Sequence, residues 1–468
     1  MTPYFEFNSK GVAIPSFRVQ TFLKENNIFK YSPSKDGIVY VQVNDKKARI
    51  LRKDNIIKTL FEFINSFEFK DQNQKELVHD KLSNKNSWIR INLNNWLEEA
   101  SLSFIKDSST ESYVFFRNCI VKITSKKITT CPYAEIEGHV WEEHIIDRDF
   151  TLDQPGCCAE LIGPFHNFLN LLTTNGVDNF ESLLSIIGYI LHRYKDPSRS
   201  KCVIFYDTNV NQERPNGRSG KTLLCKSFNE IRNVLLENAR LIDPTTKFAF
   251  NRVNLDTNGI VFDDVPNHLK FEKFFSIITG DFTKEEKFEN SVTIPFADSP
   301  KIILTSNYIV QGEGLSHSDR RIEFFVSDNF DPENTPLVHF GKRFFDEWTD
   351  EEYNQFYNTM VMAIQYYLEN GIKEPILGRY YYILKNSAPY QFIDKCDAYL
   401  LPNERYDKAV LFEEFKKDIA EFETKVQNTF TSLLKRYADY QGWSVTESHS
   451  GGKNYITFIS KDKADTES

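Results

Sequence analysis

The chain has 468 residues, 40% of them apolar and 26% charged, which is ordinary for a globular protein of two to four domains. A net charge of −9 argues against a surface built wholly for tight duplex binding, yet leaves room for a strand gripped in a narrow basic channel. No apolar run approaches the ~18–20 residues of a membrane span, and the start Met-Thr-Pro-Tyr-Phe-Glu-Phe lacks the basic and apolar regions of a signal peptide. The expectation is a cytoplasmic protein with no membrane partner. Its seven cysteines include no Cys-x-x-Cys pair, so no zinc ribbon is expected, and reduced thiols such as Cys202 and Cys225 read as core packing.

Taken in chain order, residues 1–69 predict a small α/β unit: helices over 16–26 and 54–66, strands over 37–43 and 48–51. The polar stretch 70–85 reads as a linker or an exposed helix. Residues 86–150 predict a helix near 92–102 and strands over 113–116, 120–123 and 127–130. From 156 to 195, apolar residues recur at spacings of three and four (Leu161, Phe165, Phe168, Leu169, Leu172, then Leu183, Leu184, Ile187, Ile190, Leu191), the mark of helices. Residues 200–330 alternate strands with helices, as α/β nucleotide domains do. An aromatic-rich helical stretch covers 337–372. The tail predicts helices over 411–422 and 429–440, then strands 443–447 and 455–459 around a Gly-Gly turn, a winged-helix-like pattern or else a small packing or oligomerisation module. Lys435, Arg436 and Lys453 are placed there to touch phosphate.

Four signals carry chemistry. Residues 216–222, Asn-Gly-Arg-Ser-Gly-Lys-Thr, follow the apolar run at 202–206 and form the core of a phosphate-binding loop. Gly217, Arg218, Ser219 and Gly220 offer backbone N–H groups. Lys221 offers a charge to the phosphates, and the Thr222 hydroxyl a ligand to Mg²⁺. Pro215 stands where the full pattern has its first glycine, and ten residues separate strand from loop. The run 258–264 ends in Asp263 and Asp264, one acid for the Mg²⁺ shell with Thr222 and one for the attacking water. The run 301–307 ends in Asn307, a candidate sensor of the γ-phosphate. Arg320 and Arg321 precede a further strand, and an arginine from a neighbouring subunit stabilises charge on a transferred phosphoryl group. Lys221 to Asp264 and Asp264 to Asn307 each span 43 residues, so the elements follow in register.

In this order the motifs resemble the superfamily 3 helicases of the AAA+ class. Residues 278–287 (Ile-Thr-Gly-Asp-Phe-Thr-Lys-Glu-Glu-Lys) and 296–300 are similar to that superfamily's extra motif. From about residue 133 to 371, including the prelude 141–150, the chain is similar to phage and prophage primase-helicases, among them the helicase part of the vent-phage primase-polymerase, and to poxvirus-type primase-helicases. The long strand-to-loop insertion recurs in that branch. The resemblance implies a domain order: 1–130 an α/β region of unknown role, 131–199 prelude and helical collar, 200–330 helicase core, 331–400 helical, 401–468 winged-helix-like. It implies ATP and Mg²⁺ as cofactors, Lys284 and Lys287 on a channel hairpin touching single-stranded or forked DNA, and a homo-oligomeric ring, a hexamer. Arg321, or in second place Arg320, would reach the neighbour's ATP. A primase or polymerase in trans, and a bacterial host cell, are further expectations. The other class considered is an ATP-gated initiator, scaffold or defence ATPase that assembles without unwinding. Residues 145–149 (Ile-Ile-Asp-Arg-Asp) imitate a primase metal site, but no second half follows, and His166 reads as packing.

Overall fold

Five runs between residues 200 and 330 become strands of one sheet, the inner ones buried on both faces, as a parallel sheet between layers requires, and the edge run 234–238 buried only at Val234. In chain order they are Cys202–Asp207, Val234–Asn238, Gly259–Asp263, Lys301–Ser306 and Arg321–Val326. All pair in parallel, in the spatial order second, third, fourth, first, fifth. The first strand is therefore flanked by the fourth and fifth. The computed structural model describes residues 2–34, 37–153, 162–173, 177–209, 218–241, 246, 250–267, 269–284, 292–312, 315–389, 391–424 and 427–460.

The period-two alternation along these strands divides two cores. Val203, Phe205, Val261, Ile303, Ile322 and Phe324 face one layer of helices: Pro164–Leu171, Val177–Leu191, Lys221–Asn229 and Asp350–Asn370. Ile204, Tyr206, Ile260, Phe262, Ile302, Leu304 and Phe325 face the other, with Phe250, Phe271, Phe274 and Tyr382. The helices 177–191 and 350–370 cross at Gly188, where a Cβ would stand 2.0 Å from the Ala363 carbonyl oxygen. The mixed α/β class with a parallel sheet, as expected for a nucleotide-binding domain, is what the chain adopts.

Before this core, strands Glu111–Phe116, Ile120–Thr124, Ile128–Cys131 and Ile145–Ile146 form one small sheet. Strands Ile28–Ser34, Gly37–Asn44 and Lys47–Leu51 form another with Val140–Trp141. An independent core running from Tyr4 to Leu97 holds the N-terminal helices. The stretch 70–85, read as linker or exposed helix, and the separate helix expected at 92–102 are one 25-residue helix, Gln72–Trp96. Asp71 caps it by accepting from the Gln74 N–H at 2.8 Å. Only Val78, Leu82, Ile89 and Leu93 are buried along it, so its composition reads as polar. After Trp96 the chain extends, and the Lys30 N–H donates to the Glu98 carbonyl.

The helical stretch expected at 337–372 divides into Pro336–Phe340 and Asp350–Asn370. Gly341, at φ 67°, ends the first, and a Thr349/Glu352 capping box starts the second. In the tail, helices Phe392–Tyr399, Lys408–Lys416 and Gln427–Gln441 pack on a three-stranded sheet. Its order is Arg405–Asp407, Lys453–Ile459, Ser444–Ser450. The helix expected over 411–422 stops at Lys416, with a short 3-10 turn at Ala420–Glu423. No helix among the described residues is long and apolar enough to cross a membrane.

Candidate nucleotide site

The site lies at the C-terminal edge of the parallel sheet, where ligands of open α/β sheets bind. Gly217 lies outside the described residues. From Arg218 onward the loop turns through two left-handed positions, Arg218 at φ 67° and Gly220 at φ 94°, and runs into helix Lys221–Asn229. A Cβ on Gly220 would stand 3.0 Å from Leu172 and 3.1 Å from Phe168, so the loop rests directly on the helical layer beneath it. The first N–H groups of the following helix have no intrahelical acceptors and favour an anion there.

Lys221 is only 7% exposed. Its ammonium pairs with Asp207, the last residue of the first strand, and donates to Ser219 Oγ at 3.1 Å and Asn307 Oδ1 at 3.0 Å. Asn307 reaches it because the fourth strand, which ends at Ser306, neighbours the first. The Thr222 hydroxyl lies 3.2 and 3.1 Å from the two oxygens of Asp263, at the end of the third strand. Thr305 also donates to Asp263. This pairing of a hydroxyl with a carboxylate fits Mg²⁺, which takes hard oxygen donors and is commonly held by one or two carboxylates plus substrate phosphates. Asp264 sits in the left-handed region at φ 59°. Its N–H donates to Thr305 Oγ1 at 2.9 Å and its carboxylate pairs with Arg240 at 2.7 Å, while Oδ1 is buried with no hydrogen-bond partner among the described residues.

Apart from Asp207 and Arg240, these groups line one cleft of about 1120 Å³. Its far wall is the segment from Thr335 to Asp346, with Lys342 and Arg343. Lys342 is held by Glu352, and Arg343 is exposed. Lys221, Thr222, Asp263, Asp264 and Asn307, proposed from sequence, therefore converge, together with Arg218, Ser219 and Gly220. Sequence reading missed Asp207, Thr305, Arg240 and the wall at 335–346. Asp207 had a signal, an acid closing the apolar run 202–206, but an acid there also reads as the start of a turn.

Arg320 and Arg321 are not part of this cleft. Arg321 opens the fifth strand in register with Cys202, at the N-terminal end of the first. The phosphate loop lies beyond the opposite end of that strand, about 17 Å away at the usual rise per residue. Arg321 is tied to Glu323 at 3.4 Å and to the Gly312 carbonyl at 3.0 Å, and Glu323 also holds Arg379 and the Tyr206 hydroxyl. The Arg320 guanidinium lies 4.8 Å from the Phe275 ring centre and donates to the Ser316 carbonyl.

The expected hairpin exists as strands Phe282–Lys284 and Val292–Ile294. Lys287 and the hairpin tip lie outside the described residues, as does the side chain of Lys284. In the tail, Lys435 pairs with Glu447 and Lys453 with Asp407, whereas Arg436 is exposed. Asp147 and Asp149 of the primase-like run pair with Arg117 on the surface. His166 is buried against Phe180, as packing requires. Among the described residues no group of three or more His, Cys, Asp and Glu could hold a metal ion.

No family model matches the chain, and no curated protein matches it. Among solved structures, an apo form of the C-terminal region of NrS-1 aligns with 94% of this chain and 98% of that one, at 12% identity and a TM-score of 0.41. A second apo structure of that region aligns with 94% and 99%, at 13% identity and a TM-score of 0.38. At such identities and scores, neither likeness assigns a family to this chain.

Proposed function

We propose that the chain is an ATP-dependent DNA helicase of the AAA+ superfamily 3 type, acting as a ring in phage or mobile-element replication. The observation that carries this reading is the meeting of Lys221, Thr222, Asp263 and Asn307 at one sheet edge, from a loop and two strands. In this account Gly220 and its neighbours cradle the phosphates, and Lys221 leaves Asp207 to bind the β/γ oxygens. Thr222 and Asp263 would hold Mg²⁺, which offsets phosphate charge when bound. Asp264, with its unpartnered Oδ1, and Asn307 orient the attacking water. The water oxygen bonds to the γ-phosphorus, the bond to the β–γ bridging oxygen breaks, ADP leaves, and the water's proton passes to Asp264 or to the phosphate.

Arg320, partly exposed at the opposite sheet edge, suits action on a neighbour's nucleotide better than Arg321, whose side chain is 8% exposed. Arg320 is the freer of the two, since Arg321 is held by Glu323. Mixing tests this: Lys221→Ala and the double variant Arg320→Ala/Arg321→Ala are each expected to lose hydrolysis, and their mixture to regain part of it. A mixture as inactive as its parts would remove the shared site.

Two features support nucleic acid as the track. Residues 1–97 carry 16 Lys and Arg against 10 Asp and Glu, while the rest of the chain carries 41 against 56. Hairpin strand Val292–Ile294 packs on strands Ile28–Ser34 and Gly37–Asn44 of that basic unit. The tail's order of helix, strand, two helices and hairpin supports a winged-helix reading, with Gln427–Gln441 and its exposed Arg436 as the element to meet DNA. The ion pairs at Lys435 and Lys453 leave less free charge there than the sequence suggests.

A further inference from the structure

Asp207 belongs to none of the motifs. It closes the first strand of the parallel sheet with its side chain 10% exposed, and one oxygen holds the Lys221 ammonium. The other oxygen, Oδ2, is buried and has no hydrogen-bond partner among the described residues. The cation that would meet the phosphates is thus already matched, inside the protein, by a carboxylate of its own chain. When Lys221 turns to a phosphate it leaves Asp207 buried, negative and uncompensated, next to a ligand that is itself negative. Removing the partner of a buried charge is strongly unfavourable. Asp263 adds to the same sign, with no cation in ion-pair distance among the described residues, and Arg240 is spent on Asp264. A divalent cation on Thr222 and Asp263 would offset this accumulation at its centre, beside the phosphates.

We propose that Asp207 is a positioning residue that makes the cleft select the metal-bound nucleoside triphosphate over the free nucleotide, by holding Lys221 until a divalent cation arrives with the phosphates. This rests on reading the cleft as a nucleotide site. Without the metal, transfer of Lys221 from Asp207 to phosphate sets like charges side by side. With it, Asp207 is tolerated, and it recaptures Lys221 when the products leave.

The test is binding of a fluorescent ATP analogue to the full chain, once in Mg²⁺ and once in EDTA, by wild type, Asp207→Asn, Asp207→Ser and Asp207→Glu. Wild type is expected to bind about tenfold or more weakly in EDTA, from like-charge repulsion at short range in a partly buried site. Both neutral variants are expected to narrow that ratio by gaining affinity in EDTA, and Asp207→Glu to restore it. A folded neutral variant with the wild-type ratio overturns the proposal. So does a parallel loss of affinity in both media, which marks a merely structural residue. If Asp207→Asn does not fold, Asp207→Ser carries the same two outcomes, and failure of both to fold also assigns Asp207 a structural role and overturns the proposal. Absence of binding by wild type in Mg²⁺ removes instead the nucleotide reading itself.

Discussion

Lys221 is nearly buried because Asp207, Ser219 and Asn307 surround its ammonium with oxygen. That arrangement explains why residue types alone exposed most of the site. A lysine after a glycine, a hydroxyl after the lysine and acids closing an apolar strand are each demanded by phosphate or metal chemistry, so they show in the sequence. Asp207, Thr305 and Arg240 serve those residues rather than a ligand, and they become neighbours only through the strand order. The glycine before Lys221 is the most restricted position. Gly220→Ala would put a Cβ against Leu172 and Phe168 at φ 94°. A destabilisation of about 1–2 kcal/mol is expected from the left-handed backbone and the close approach, read by denaturant unfolding, together with weaker nucleotide binding. Unchanged stability would mean that the loop does not rest on that layer.

At the scale of elements, the apolar spacing of 177–191 announced a helix, but not what it packs against. The Gly188 crossing is set by the partner helix, so no local pattern revealed it. Gly188→Ala is expected to cost about 3 kcal/mol or more, since the clash is with backbone at 2.0 Å and overpacking of a filled core is already costly. Thermal unfolding checks this, and a melt within a degree of wild type would contradict the crossing. Just past the same helix, Lys195 donates to Ser299 Oγ at 2.6 Å and lies 4.3 Å from the Phe296 ring centre, tying the helical layer to the foot of the hairpin. Burial pushes its ammonium from the ordinary 10.5 down to about 7. The unfolded chain therefore binds the extra proton between pH 7 and 10.5, and this group's contribution to stability rises with pH across that window. Lys195→Met removes it, so the stability of wild type relative to the variant should grow from pH 7 to pH 10. A constant difference would contradict the burial. The long helix Gln72–Trp96 was illegible for the opposite reason. Only four of its side chains are buried, and its polar faces look like linker.

For the whole molecule, the sign of the charge changes along the chain, and the net −9 conceals a basic N-terminal unit. Lys47 and Arg52 are exposed there, outside the nucleotide cleft. Lys47→Glu with Arg52→Glu is expected to weaken single-stranded DNA binding several-fold. It should also flatten the dependence on log salt by about 0.7 for each phosphate that is no longer neutralised, with basal hydrolysis intact. An unchanged salt slope would place the track elsewhere. The mixed α/β class was readable from alternating patterns, whereas the placement of the arginines at the far sheet edge required the strand order. Under the proposed function, that placement would leave the arginine's part in hydrolysis to a neighbouring subunit. The measurement closest to the central claim is strand separation on a forked DNA duplex with ATP and Mg²⁺, wild type beside Lys221→Ala. The account predicts unwinding by wild type and none by the variant. Equal unwinding by both, or none by a wild type that hydrolyses ATP, would contradict it.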